Sequence, residues 1–373
     1  MRNYKIDILR GVSIFLVLLH HFNIPYKLND TWLGFSIFGE PLSHLIARNG
    51  NYGVTMFFVI SGFLITQHTL HRDGVLSNIH IRNFYIRRIA RIVPCLLLLV
   101  AVVTLLGGMG LQPFLNQAPN AIAVPYVVTI LAAFTFWMNI LIIEYGWVNY
   151  ALGVLWSLSV EEVFYLAFPL LCLMLTKTKA FILFLVLIIA YAPYFRALHF
   201  GEENGAYLYH YFSSFDGIAI GCLTALLLHK FSMQQNAAKW MIPLLVILMV
   251  ALYMYAPIKN VSTWSISVFA VLTACLVFCF SQYSKFQTLA LFSKILVWMG
   301  QRSYEMYLFH LIILGLIKVV YFPKTTAPDQ KMLLLLIFLA GTFALSWVIE
   351  KYYSAPLNHK IREKWLIKKP QID

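Results

Sequence analysis

Arg10 and His21 stand eleven residues apart in the first hydrophobic stretch, Ile8 to Phe22. Eleven residues at 100° each make three turns plus ~20°, so on a helix the guanidinium and the imidazole leave one face, ~16 Å apart along the axis. His20 points ~80° away from Arg10 by the same geometry. Ionisable groups inside a lipid-spanning helix are costly and face a cavity or a partner. A cation near the membrane entrance and a titratable group near its middle suit a reaction or transport path. The plainer reading is a snorkelling arginine and a histidine bonded to another helix. This segment alone leaves both open. Asp7, three residues before Arg10, can pair with it on the helix surface.

Four further constellations could carry chemistry. In Gly50-Asn-Tyr-Gly-Val-Thr-Met-Phe-Phe-Val-Ile-Ser-Gly-Phe-Leu-Ile65, the small pair Ser61-Gly62 lets another helix approach closely. Packing outranks a catalytic Ser61 here, because no histidine lies at nucleophile-elbow spacing. In Phe84-Tyr-Ile-Arg-Arg-Ile-Ala-Arg-Ile-Val-Pro94, Arg88 and Arg91 are three residues apart with Arg87 beside them, on a short amphipathic turn expected to end at Pro94. Guanidiniums are forks for phosphate oxygens, yet spacing alone ranks anchoring to anionic lipid first.

Trp156-Ser-Leu-Ser-Val-Glu-Glu-Val-Phe-Tyr165 places two carboxylates in an apolar stretch. They are expensive there unless protonated, paired or in a wet cavity. They point ~100° apart, so one can hold an arginine while the other faces a site. A carboxylate beside an imidazole raises its basicity and fixes its tautomer; a structural ion pair is the alternative. Last, Ser303, Tyr307 and His310 form one polar stripe on an apolar helix. His310 reads as site-lining, and Asp216 as a further intramembrane acid with the same two readings.

These groups need elements to hold them. Of 373 residues, 61% are hydrophobic and only 12% charged, and many apolar runs approach the ~20 residues that cross a bilayer. The class is an all-α, polytopic integral membrane protein. No composition shift or repeat divides it, which suggests one membrane domain over 1–355 and a basic cytoplasmic tail over 356–373. The first hydrophobic stretch lacks a small-residue cleavage site and reads as a retained span. The five cysteines lack metal-type spacing, so neither a metal site nor a disulfide framework is expected. The net charge of +13 fits loops near anionic membrane lipid rather than nucleic acid.

Candidate spans fall at 8–23, 52–69, 92–109, 122–143, 153–175, 180–197, 208–229, 240–256, 262–281, 303–321 and 332–352, eleven in all. Three basic segments flank them. Arg2 and Lys5 lie at the N-terminus, and Arg72, Arg82, Arg87, Arg88 and Arg91 in the loop after the second span. Lys360, Arg362, Lys364, Lys368 and Lys369 lie in the tail. The positive-inside rule puts all three in the cytoplasm. Both ends inside require an even number of crossings, so about ten helices cross and one re-entrant or interfacial piece lies between 122 and 175. Segment 153–175, with Glu161 and Glu162, is the first choice for that piece; 122–143 is the other.

Taken in order, LRGVSIFLVLLHHF, GVTMFFVISGFLI, FYIRRIARIVP, WSLSVEEVFYLAFP and SYEMYLFHLIIL resemble the acyltransferase-3 family of membrane O-acyltransferases, which includes O-acetylases of surface polysaccharides. The five motifs run from residue 7 to about 315. The resemblance implies transfer of an acyl group, acetyl above all, from cytoplasmic acyl-CoA to a carbohydrate or glycolipid hydroxyl. It selects His21 over His20 for the R-x10-H pair with Arg10. It assigns Arg88 and Arg91, with Arg87, to CoA phosphates, reversing the ranking from spacing, and Glu161 to the W-S-L-x-x-E glutamate.

Two departures stand out. Where relatives often carry an arginine in the seventh span, this chain has Ser213-Ser214-Phe215-Asp216, and the closing E-x-P is stretched to Glu350-Lys-Tyr-Tyr-Ser-Ala-Pro356. A stand-alone form, with no fused hydrolase-like domain, is expected, set in a bacterial inner-membrane-type bilayer. On this reading His21 is general base or acyl carrier and Glu161 orients it. Arg10, Arg87, Arg88 and Arg91 hold acetyl-CoA, and Ser61, Tyr307, His310 and Asp216 line the acceptor site. The rival is a secondary transporter or flippase with His21, Glu161 and Asp216 as a proton relay.

Overall fold

The computed structural model describes residues 3–37, 39–283 and 291–367; Arg2, Lys368 and Lys369 lie outside them. The chain runs through α1 (Tyr4–Tyr26), a two-residue hairpin of β1 (Ser36–Ile37) and β2 (Glu40–Pro41), α2 (Leu42–Ala47), α3 (Asn51–Asp73) and α4 (Ile81–Gly108). Two short helices follow, α5 (Tyr126–Phe134) and α6 (Met138–Tyr145), and then α7 (Leu155–Met174), α8 (Thr178–Leu198), α9 (Ala206–Tyr209), α10 (Tyr211–Lys230), α11 (Gln235–Tyr255) and α12 (Ile258–Gln282). The last elements are α13 (Leu291–Gln301), α14 (Ser303–Val320), α15 (Pro328–Ile349) and α16 (Ala355–Trp365). Counting α2–α3, α9–α10 and α15–α16 as continuous rods, ten helices among the described residues are long and apolar enough to cross a membrane.

The segment that does not cross is 122–143, and the first choice of 153–175 is corrected. Glu161 and Glu162 sit inside an unbroken 20-residue helix, α7. The interruption lies between α5 and α6, where Phe136 takes a positive φ of 60°, a conformation that ends an α-helix. Asn116 and Asn149 bridge each other, and the Gln117 amide donates to the Val148 carbonyl at 2.7 Å. The chain therefore enters and leaves this piece at one end of the bundle. Charge was a poor guide to the break because α7 turns its carboxylates into a cavity rather than into lipid.

Pro94 does not end the arginine-rich turn either, because α4 runs through it for 28 residues. A proline removes one backbone donor. Beside it, the Tyr304 and Tyr353 hydroxyls each donate at 3.2 Å, to the carbonyls of Ile92 and Pro94, and tie the rod to its neighbours. The basic turn and the third span are thus one rod, with Arg88 and Arg91 near its start.

Close crossings hold the site helices. At Gly62 on α3 a Cβ would fall 1.9 Å from the Ile218 carbonyl of α10, and at Gly221 of α10 another would fall 2.0 Å from that of Val59. Only glycine permits such an approach, so the small-residue expectation for Gly62 holds. Gly11 of α1 and Gly300 of α13 form a second contact of this kind, against Leu296 and Asp7. Lys5, at the start of α1, donates to the Phe280 carbonyl at the end of α12. At the other end of the bundle, Asn49 donates to the Tyr253 and Ala256 carbonyls and accepts from the Ile258 amide.

Candidate active site

A cavity of about 320 Å³ opens between α1, α3, α4, α7, α14 and α16. It joins a vestibule of about 1060 Å³ that shares Arg10, Leu64, His68, Arg91, Tyr304, Asn358 and Arg362 with it. Its arginines come from four elements: Arg10 of α1, Arg72 of α3, Arg87, Arg88 and Arg91 of α4, and Arg362 of α16. Further in lie Ser61, Glu161, Glu162 and Tyr165, and at the far end Phe57, Ser157 and Tyr307. The expected set of Arg10, Arg87, Arg88, Arg91, Ser61, Glu161 and Tyr307 therefore converges on one void.

Arg88 lies flat on Tyr165, its guanidinium carbon 3.4 Å from the ring centroid. Glu161 and Glu162 attract it electrostatically. Tyr165 in turn donates to Glu161 Oε1 at 2.7 Å, and Ser61 donates to the same oxygen at 2.6 Å. A planar cation stacked on an aromatic face and balanced by carboxylates is a rigid platform. Glu161 thus orients Ser61, Tyr165 and Arg88, and makes no hydrogen bond to His21. The hydrogen bonds of Glu161 go to Ser61 and Tyr165, on the side of Arg88.

His21 is fixed by its own helix. Its Nδ1 lies 3.0 Å from the Val17 carbonyl, an acceptor only, so Nδ1 carries the proton and Nε2 keeps the lone pair. His310 repeats the pattern, with Nδ1 2.7 Å from the Tyr307 carbonyl and 3.2 Å from that of Met306. The two imidazole centroids are 4.8 Å apart. His310 is fully buried, and its Nε2 has no hydrogen-bond partner among the described residues. His310 lies 6.0 Å, ring to ring, from Tyr307, whose hydroxyl meets Ser157 Oγ at 2.6 Å and donates to the Val154 carbonyl at 3.0 Å. The histidine pair therefore stands behind Tyr307, past the far end of the arginine-lined cavity. His20 turns away, its Nδ1 2.7 Å from the Ala47 carbonyl near α2.

Asp216 is elsewhere, and its place as a lining residue is corrected. Its carboxylate receives Arg196 of α8 at 3.0 Å and Ser267 of α12 at 2.6 Å, and its other oxygen accepts the Gly217 amide at 2.9 Å. Arg196 also donates to the Ser213 carbonyl at 2.6 Å. Both charged side chains have 0% exposure. A buried charge needs such a partner, and the arginine missing from the seventh span is supplied here by α8. Arg196 was passed over because it lies twenty residues before its partner, on another helix. Arg72 and Arg362 were noticed only as charges that orient the chain, although both line the cavity.

Ten membrane-length rods among the described residues, several of which enclose an arginine-lined void, mark a multi-pass membrane protein. A family described as an acyltransferase domain matches residues 3–351, and the chain belongs to that acyltransferase family. Among curated relatives, "Putative O-acetyltransferase SACOL0978" of Staphylococcus aureus (strain COL) is 27% identical over 341 residues, covering 85% of this chain and 51% of the relative. "O-acetyltransferase OatA" of Staphylococcus aureus (strain NCTC 8325 / PS 47) is 28% identical over 317 residues, covering 78% and 51%. The chain spans about half the length of the curated relatives it matches. No solved structure matches it.

Proposed function

We propose that this chain is a membrane O-acetyltransferase that carries an acetyl group from acetyl-CoA to a hydroxyl of a glycan or glycolipid. The observation that supports this most is the arrangement of one cavity. Arginines from four elements line the cavity, and its far end is lined by Tyr307, behind which the His21–His310 pair stands. A donor with phosphates at one end and a thioester at the other fits that polarity. CoA enters from the arginine-rich end, its phosphates against Arg88 and Arg91, with the acyl arm pointing past Ser157 and Tyr307. The acceptor arrives from the opposite end of the bundle. The arginine-rich end, and with it both termini, faces the cytoplasm of a bacterial inner-membrane-type bilayer.

His21 acts at the reacting carbonyl. Its Nε2 lone pair takes the proton of the acceptor hydroxyl as the oxygen attacks the thioester carbon. The C–S bond then breaks, and the imidazolium returns the proton to the departing thiolate. A variant of this sequence has the imidazole attack first and carry the acetyl group, which the acceptor then removes. The Val17 carbonyl serves either route, because it holds the tautomer that leaves Nε2 unprotonated. A transporter relay loses its third member, since Asp216 is closed off by Arg196.

The test is formation of acetylated glycan by purified protein in lipid nanodiscs, given acetyl-CoA and a glycan acceptor. Transfer by the wild type and none by His21→Ala, with CoA still bound, supports the proposal. An intact rate in His21→Ala would overturn the assignment of the reacting residue.

A further inference from the structure

Two glutamates stand side by side on α7, and only one of them is satisfied. Glu161 accepts from Ser61 at 2.6 Å and from Tyr165 at 2.7 Å, both at Oε1. Glu162 has 5% exposure, and its Oε1 has no hydrogen-bond partner among the described residues. Arg88 and Arg91 act on it through space. A buried polar atom left unpaired costs stability, and native structures hold few of them. Glu162 also lines the cavity of about 320 Å³, so a partner has room to reach it from that side.

The helix serves as a ruler along the cavity. Glu162 lies three residues before Tyr165, the ring that carries Arg88, which is ~4.5 Å along the axis. In the other direction it lies five residues after Ser157, whose hydroxyl meets that of Tyr307 at 2.6 Å, which is ~7.5 Å. The unpaired carboxyl is therefore set between the level of the stacked guanidinium and the level of Tyr307. A donor held by its phosphates at the first level and reacting beyond the second passes its arm across Glu162.

We propose that Glu162 binds a secondary amide of the pantetheine arm and so recognises the donor by its arm as well as by its phosphates. This rests on the reading of CoA as donor. An ionised carboxylate offers acceptors only, and a protonated carboxyl adds one O–H donor. An amide presents an N–H and a C=O together, so it completes Glu162 in either state. A hydrocarbon chain completes it in neither.

The experiment measures affinity for CoA and for 3′-phosphoadenosine 5′-diphosphate, which is CoA without its pantetheine arm, using purified protein in phosphatidylcholine nanodiscs. Wild type should bind CoA more tightly. Glu162→Met, close in volume, should weaken CoA roughly tenfold, about 1.4 kcal/mol, and leave the nucleotide unchanged. Glu162→Gln keeps an acceptor oxygen and should retain most of the affinity. Without ligand, Glu162→Met should unfold no earlier than wild type, because it removes an unpaired buried group. A lower midpoint, or a variant that no longer folds, overturns the proposal, since Glu162 would then hold the bundle together. Equal weakening of both compounds also overturns it, because Glu162 would then act through Arg88 and Arg91. So does an unchanged CoA affinity, and a raised KM for the glycan beside it would move Glu162 to the acceptor. If wild type binds both compounds alike, the proposal falls and the donor reading stands. If it binds neither, the donor reading falls and the proposal with it.

Discussion

Two clusters of charge lie inside this bundle, and they are built on opposite plans. Around Arg196, one guanidinium meets one carboxylate, the Ser267 hydroxyl and the Ser213 carbonyl take further positions, and both ionic side chains have 0% exposure. In the cavity, six arginines face two glutamates across an open volume of about 320 Å³. A matched and packed charge holds helices together. Charge gathered around an open void leaves room for a ligand of opposite sign. The contrast separates structural from functional ionic groups where sequence alone gives every intramembrane charge the same two readings.

The largest effect expected is on chemistry. His21→Ala should slow acetyl transfer by ~10²–10⁴-fold, the usual contribution of a general base, without moving the unfolding midpoint. His20→Ala, whose imidazole is tied to Ala47, should cost far less. Product formation at matched membrane levels checks both, and a dead His20→Ala beside an active His21→Ala would reverse the choice of base.

Next comes the matched cluster. Arg196→Ala leaves Asp216 charged and buried, so stability should fall by about 3–5 kcal/mol, read as thermal unfolding in detergent. The paired change Arg196→Met with Asp216→Leu should recover much of that loss. If Asp216→Asn is fully stable yet inactive, the two clusters are not different in kind.

A smaller change tests the open side. Arg91→Lys keeps the charge and loses the fork, and acetyl-CoA affinity should drop by about 1.5–3 kcal/mol, roughly tenfold or more. Titration of the purified variant would show it.

The smallest effect lies outside both clusters. Glu40 accepts from His44 at 2.5 Å and Arg48 at 2.8 Å. The His44 hydrogen bond, helped by the nearby Arg48 charge, holds its carboxyl below the ordinary range. A depressed folded-state value gives stability that is present above the unfolded carboxylate pKa of ~4.3 and lost as pH falls through the folded one. Glu40→Gln should therefore unfold slightly earlier than wild type near neutral pH, and the gap should close on acidification. Paired melting curves across that range decide it.

Much of this was legible in the chain. The eleven-residue step from Arg10 to His21 gave the shared face, and the count of basic ends gave an even number of crossings. What escaped was whatever depends on contact between distant helices. Arg196 and Asp216 carry no local signal of their pairing. Glu161 sits beside Arg88 rather than His21 because α7 crosses the bundle at a level that hydropathy does not encode. The break at Phe136 is a backbone event in an apolar run, whereas the carboxylates of α7, which pointed to a break there, are accommodated by the cavity.

Residues Glu350–Ser354 form a π-helical turn between α15 and α16. Glu350 is held to Arg302 at 3.4 Å, and Ser354 donates to Glu305 at 2.6 Å. A π-turn carries one residue more than the α-turn it replaces, so it acts as a phase shifter for the rod that follows. Deleting one residue there would rewind the turn and rotate α16 by ~100° about its axis. Arg362 would swing out of the vestibule while α15 stayed where it is. The stretched spacing from Glu350 to Pro356 is thus an angular setting written into chain length, and it aims the last arginine.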